Sequence, residues 1–130
     1  MVLIKRSGLA AAFMLFIIAL LVPGAWADEK KVFPALEAPA GSPGAEHNAE
    51  GIEHYNQGHW DVAEKHFRAA VKADDKLAQA RYNLALALDQ MGKHKEATEQ
   101  FDHAAHLAPK DPAIAESPIL KGHLKGMKKH

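Results

Sequence analysis

Two stretches, GHWDVAEKHFRAAV at residues 58–71 and GKHKEATEQFDHAA at residues 92–105, decide the fold. Laid over one another they match Gly58 with Gly92, Ala63 with Ala97, Phe67 with Phe101 and Ala70 with Ala104, every pair 34 residues apart. Within each copy the apolar residues keep helical spacing: Ala63, Phe67, Ala70 and Val71 share one face, and so do Ala97, Phe101, Ala104 and Ala105. Leu84, Leu88 and Met91 do the same just before Gly92. No stretch alternates with period two over a useful length. The reading is helix, Gly turn, helix, then an acidic or Pro stop, each Gly taking the left-handed conformation that ends a helix. A period of this length marks an array of helical hairpins. Small Ala lets two helices approach at their crossing, and one Phe per copy fills the gap between neighbouring hairpins.

The pattern resembles the tetratricopeptide repeat family. The second copy, residues 78–111, carries it well with Leu84-Ala85, Leu88, Gly92, Ala97, Phe101, Ala104 and Pro109. The first copy, residues 44–77, fits at Gly51, Gly58, Ala63, Phe67 and Ala70. It departs at His47, where the family favours Trp, at Glu50, where it favours Leu, and at His54, where it favours Tyr. Asp75 replaces the closing Pro, and Tyr55 and Trp60 compensate in part. The resemblance implies an all-α fold, a short α-solenoid of two hairpins whose first helices line a concave surface. In the family that surface holds an extended peptide or a partner helix. Repeat phase then places Asn48, Ile52, Tyr55 and Asn56 from the first copy in the groove, with Gln79, Tyr82, Leu86, Asp89 and Gln90 from the second. Tyr and Asn suit hydrogen bonds to a peptide backbone, and Ile52 and Leu86 supply an apolar floor.

Beyond Asp111 the repeat fades. Asp111-Pro112 and Ser117-Pro118 each read as a helix start, with a capping side chain and Pro in the first turn. Residues 112–130 are therefore expected to form a capping helix, broken or single over about 113–127, and a basic tail bearing Lys121, Lys125, Lys128 and Lys129. Two hairpins and a cap leave an apolar face that self-association or a partner would cover.

On the other side, residues 28–44 hold Pro34, Pro39, Pro43, Gly41 and Gly44 and read as a linker without regular structure. Its apolar island, Val32-Phe33 with Leu36, can dock on the domain or on a partner, though a disordered leader is the simpler expectation. Residues 1–27 read as a secretory signal peptide: Lys5 and Arg6, an uncharged apolar run from Leu9 to Val22, Pro23-Gly24, then Ala25-Trp26-Ala27 as the cleavage pattern. Cleavage after Ala27 predicts an exported protein of a bacterial periplasm or cell envelope, with no stable membrane span after processing. An uncleaved anchor is the rival reading.

Composition narrows the chemistry. The chain of 130 residues has 16 Lys+Arg against 16 Asp+Glu, which excludes the basic balance of a dedicated nucleic-acid binder. It contains no Cys, which removes disulfides, thiolate catalysis and lipid attachment. After residue 27 the only Ser residues are Ser42 and Ser117, and no phosphate-binding Gly loop occurs. No enzyme, cofactor or metal is assigned. Glu99, His103 and His106 share a helix face but lack further ligands, so they read as solvated surface. His47 and His54 read as half-buried spacers. The expected function is non-enzymatic protein binding or scaffolding. The alternatives are a self-assembling structural oligomer and a His-rich metal-binding envelope protein.

Overall fold

The computed structural model describes residues 29–129. The expected signal peptide lies outside the described residues. Among the described residues six helices follow in order: α1 (Ala45–Asn56), α2 (Trp60–Ala73), α3 (Ala78–Gln90), α4 (His94–Leu107), α5 (Pro112–Ala115) and α6 (Pro118–Met127). Among the described residues there is no strand, and no helix is long and apolar enough to cross a membrane. Each of α1 to α4 packs on the next, and α6 closes the stack against α4.

The two Gly turns are copies at the level of single hydrogen bonds. Gly58 and Gly92 both have φ of +76°, a conformation that side chains bearing a Cβ avoid. The amide of Gly58 bonds the Tyr55 carbonyl and that of Gly92 the Asp89 carbonyl, both at 3.0 Å. One residue on, His59 N–H reaches back to the His54 carbonyl and Lys93 N–H to that of Leu88, both at 2.9 Å. This is the backbone closure that satisfies the last carbonyls of a helix. In both copies the small–aromatic–small ladder is sealed: Ala63, Phe67 and Ala70, like Ala97, Phe101 and Ala104, are fully buried. Phe67 lies against α1 and Phe101 against Tyr82, edge to face at 5.5 Å between ring centres.

The hairpins are also pinned by charge. Glu64 on α2 accepts from Arg68 at 2.7 Å and from Lys93, at the second turn, at 3.0 Å. Arg68 in turn pairs with Glu96 on α4. Burial alone would raise the Glu64 carboxyl. The hydrogen bonds and charges of Arg68 and Lys93 outweigh it and hold the group below its ordinary value.

The C-terminal cap begins a third repeat and breaks it. Helix α5 starts at Pro112, one 34-residue period after α3 starts at Ala78, and stops after four residues. Ser117-Pro118 then restarts the chain as α6. Both start signals work as expected. Asp111 accepts from the Ala113 amide at 3.0 Å and Ser117 from that of Leu120 at 3.5 Å, with Pro in the first turn each time. Ile114 and Leu120 bury the end of the stack.

Candidate peptide-binding groove

The concave face made by α1 and α3 is filled by the chain's own leader. Residues 30–38 run along it without regular secondary structure but held in place, where the sequence favours a disordered leader. Leu36 is the centre of the contact. Its N–H donates to Asn83 Oδ1 at 2.7 Å. Its carbonyl accepts from Asn83 Nδ2 at 2.8 Å and from Asn48 Nδ2 at 3.0 Å. Asn83 Nδ2 also donates to Asn48 Oδ1 at 2.9 Å, so the two fully buried amides lock each other as they hold the leader. Buried amides are tolerated only when their donors and acceptors are met, and here the leader's backbone meets them.

The rest of the leader is held in the same way. Tyr55 donates its hydroxyl to the Phe33 carbonyl at 2.9 Å, and Gln90 reaches the Lys31 carbonyl at 3.4 Å. At the far end Lys30 pairs with Asp89, at 3.2 Å to Oδ2, and also donates to the Asp89 backbone carbonyl. Phe33, Ala35 and Leu36 pack on the main core, and Ala38 packs on a smaller cluster of Ala70, Leu77 and Ala80. Pro34 and Glu37 point to solvent. The contact therefore rests on main-chain groups and a few apolar side chains.

The electrostatics follow from burial. Desolvation pushes the Tyr55 hydroxyl up to about 12, keeping it a proton donor to the leader. Burial raises Tyr82 as well. For Asp89 burial acts to raise the carboxyl, but hydrogen bonds from His94 and Lys30 prevail and hold it below its ordinary range.

Of the nine residues expected in the groove, Asn48, Tyr55, Asp89 and Gln90 touch the leader through hydrogen bonds. Ile52 and Leu86 belong to the buried core on which the leader's apolar residues pack. Tyr82 turns to the cap, its hydroxyl 2.8 Å from Ser117 Oγ. Gln79 reaches Asp111 at 3.4 Å, and Asn56 is exposed at the end of α1. The residue that repeat phase misses is Asn83. Carrying Asn48 forward by one period lands on Tyr82, one position short. The two Asn are 35 apart, and so are Tyr82 and Ser117, so the side chains that bond across both junctions are one residue off the 34-residue period.

The histidines also sit differently from expectation. His47 is exposed rather than half-buried. His54 is partly buried and stacks on His66, ring centres 5.3 Å apart. Glu99, His103 and His106 are exposed on α4, as the sequence implies. Two other groups gather instead: His47, Glu50 and His66 on the outer face, and Asp89, His94 and His123 beside the groove.

Comparison with known proteins agrees with the helical-hairpin fold. A family model described as tetratricopeptide repeat matches residues 48–112, half of the chain. No curated protein and no solved structure gives a significant match. With the matched residues running from within α1 to the first residue of α5, the chain belongs to the tetratricopeptide repeat family.

Proposed function

We propose that the groove captures an extended segment of a partner protein, and that residues 30–38 occupy it as an internal stand-in which the partner displaces. Repeats of this family generally mediate protein–protein interaction. The observation that carries the finer reading is the Asn48–Asn83 pair, two buried amides spent on the backbone of one residue, Leu36. Backbone recognition of this kind accepts any sequence that places small or apolar side chains where Phe33, Ala35 and Leu36 sit. A basic residue toward the N-terminal end of the ligand suits Asp89, as Lys30 does. The protein acts as a non-enzymatic adaptor, exported to the periplasm or cell envelope by its N-terminal segment. A segment that fits its own groove also fits that of a second copy, so the same contact made in trans gives self-association.

The test is binding of a labelled peptide spanning residues 29–38, added in trans and followed by fluorescence anisotropy. With the leader weakened by Phe33→Ala and Leu36→Ala, the peptide should bind saturably, and intact protein should bind it far more weakly. Adding Asn83→Ala to the weakened leader should abolish binding. Equal binding with and without Asn83→Ala would exclude the groove as the peptide site.

A further inference from the structure

Three side chains from three helices meet beside the groove. Asp89 lies in the last turn of α3, His94 opens α4, and His123 lies midway along α6. His94 Nδ1 is 2.8 Å and His123 Nε2 3.1 Å from the same oxygen, Asp89 Oδ1. All three ligand atoms lie within 4.8 Å of one another. In a tetrahedral zinc site with bonds of about 2.0–2.1 Å, neighbouring ligand atoms stand roughly 3.3 Å apart. Small side-chain shifts therefore convert this cluster into a metal-binding set.

The hydrogen bonds around His123 favour a metal-binding tautomer. Thr98 donates its one hydroxyl proton to the His94 carbonyl at 2.8 Å. Its oxygen is then left to accept from His123 Nδ1–H at 2.7 Å. Neutral His123 thus presents a bare Nε2 to the Asp89 carboxylate. Two lone pairs at that distance call for a cation between them, and a divalent ion satisfies Asp89, His94 and His123 together. A metal-ligating imidazole characteristically donates its other ring N–H to a fixed oxygen, most often of a carboxylate, carbonyl or water, and the Thr98 hydroxyl takes that place here.

Access and charge fit as well. The Asp89 side chain is only 8% exposed, with its other oxygen on Lys30, whereas His94 is 63% exposed. A cleft of about 570 Å³ between α4 and α6 leads to His94 and His123, and Gly122 and Gly126 leave part of its α6 wall bare between His123 and Met127. Solvent can therefore supply the remaining ligand. The other cluster, His47, Glu50 and His66, is more open: Glu50 is 45% and His47 49% exposed.

We propose that Asp89 Oδ1, His94 Nδ1 and His123 Nε2 form a binding site for a divalent cation of the zinc class. The site goes beyond the peptide-binding reading and stands without it. The test is calorimetric titration of zinc into the chelator-treated full chain, with circular dichroism on every variant. One zinc ion per chain is expected at micromolar protein, with a rise in Tm. His94→Gln, an exposed change that leaves packing alone, should remove both the heat and the rise. Thr98→Val should weaken binding by about 10-fold or more, while Thr98→Ser should restore it. His66→Gln should change nothing. His123→Gln should also abolish binding; because that ring packs 5.0 Å from Phe101, His94→Gln is the deciding variant. Absence of zinc uptake by the wild-type chain would leave a proton as the bridging cation and overturn the proposal. Uptake that survives in a folded His94→Gln protein but is lost in His66→Gln would overturn it too.

Discussion

The two hairpins share a turn and a buried Ala–Phe–Ala ladder, but their first helices live in different surroundings. Helix α3 buries ten of its 13 residues, enclosed by α2, α4 and the leader. Helix α1 buries four of 12, Asn48, Gly51, Ile52 and Tyr55. It has α2 behind it and the leader in front, and its outward side carries His47 and Glu50. In a repeat stack each unit buries what its neighbours cover, and the terminal unit is always short of a neighbour. The leader supplies part of the missing cover. It is at once the occupant of the groove and the cap of the first repeat, so a partner that displaces it must cover Asn48 and Tyr55 again.

This comparison can be broken at the ladder first. Phe101→Ala should cost about 3–5 kcal/mol in thermal or urea unfolding. Phe67→Ala should fall in the same range but cost less than Phe101→Ala, because Phe101 also packs against His123 of α6. Equal or reversed costs would show that the stack does not lean on its C-terminal end as described.

A smaller and sharper effect lies at the helix crossing. A Cβ at Gly51 would sit 2.5 Å from the Phe67 ring, while the matching position in the second copy holds a fully buried Ala85. Gly51→Ala should destabilise by about 1–3 kcal/mol through overpacking, although Ala is the better helix former. Ala85→Gly should cost about 1 kcal/mol, for the ordinary reason that Gly weakens a helix interior. Stabilisation by Gly51→Ala would mean that the first hairpin is as wide as the second.

The smallest effect is electrostatic and depends on pH. Glu64 has its folded pKa below its ordinary 4.5, so its pairing with Arg68 and Lys93 adds stability above that value. That contribution disappears as pH falls through the folded value. Glu64→Gln should therefore lower stability at neutral pH by about 1 kcal/mol or less, the range of partly exposed pairs. Its melting curve should converge with the wild type in acid. A constant gap across that range would assign the loss to packing instead.

The fold was legible because its cause is periodic. Gly58, Gly92 and the Ala–Phe–Ala positions recur at one spacing, and the structure repeats even their hydrogen bonds. The first and second start signals of the cap were legible for a local reason, since Asp111 and Ser117 act on amides two and three residues away. The leader's contacts were half legible. Phase picks out Asn48, Tyr55, Asp89 and Gln90, which bond the leader, but strict phase steps over Asn83, because the amides that meet across the junction are 35 residues apart and not 34. The docking of the leader was harder to read. Pro34, Pro39 and Gly41 argue against regular structure there, and an extended segment has none of its own; its order comes from Asn48 and Asn83, supplied from elsewhere in the chain. The meeting of His94, His123 and Asp89 was hidden for the same reason, since it joins three helices that only tertiary packing brings together.

The central claim is that the leader's backbone is held by Asn48 and Asn83, and amide hydrogen exchange at Leu36 tests it most directly. Leu36 N–H should exchange slowly in the intact protein. Asn83→Ala should release it while the amides of α2 and α4 stay protected. Fast exchange at Leu36 in the unmodified protein, or equal protection with and without Asn83, would contradict the account.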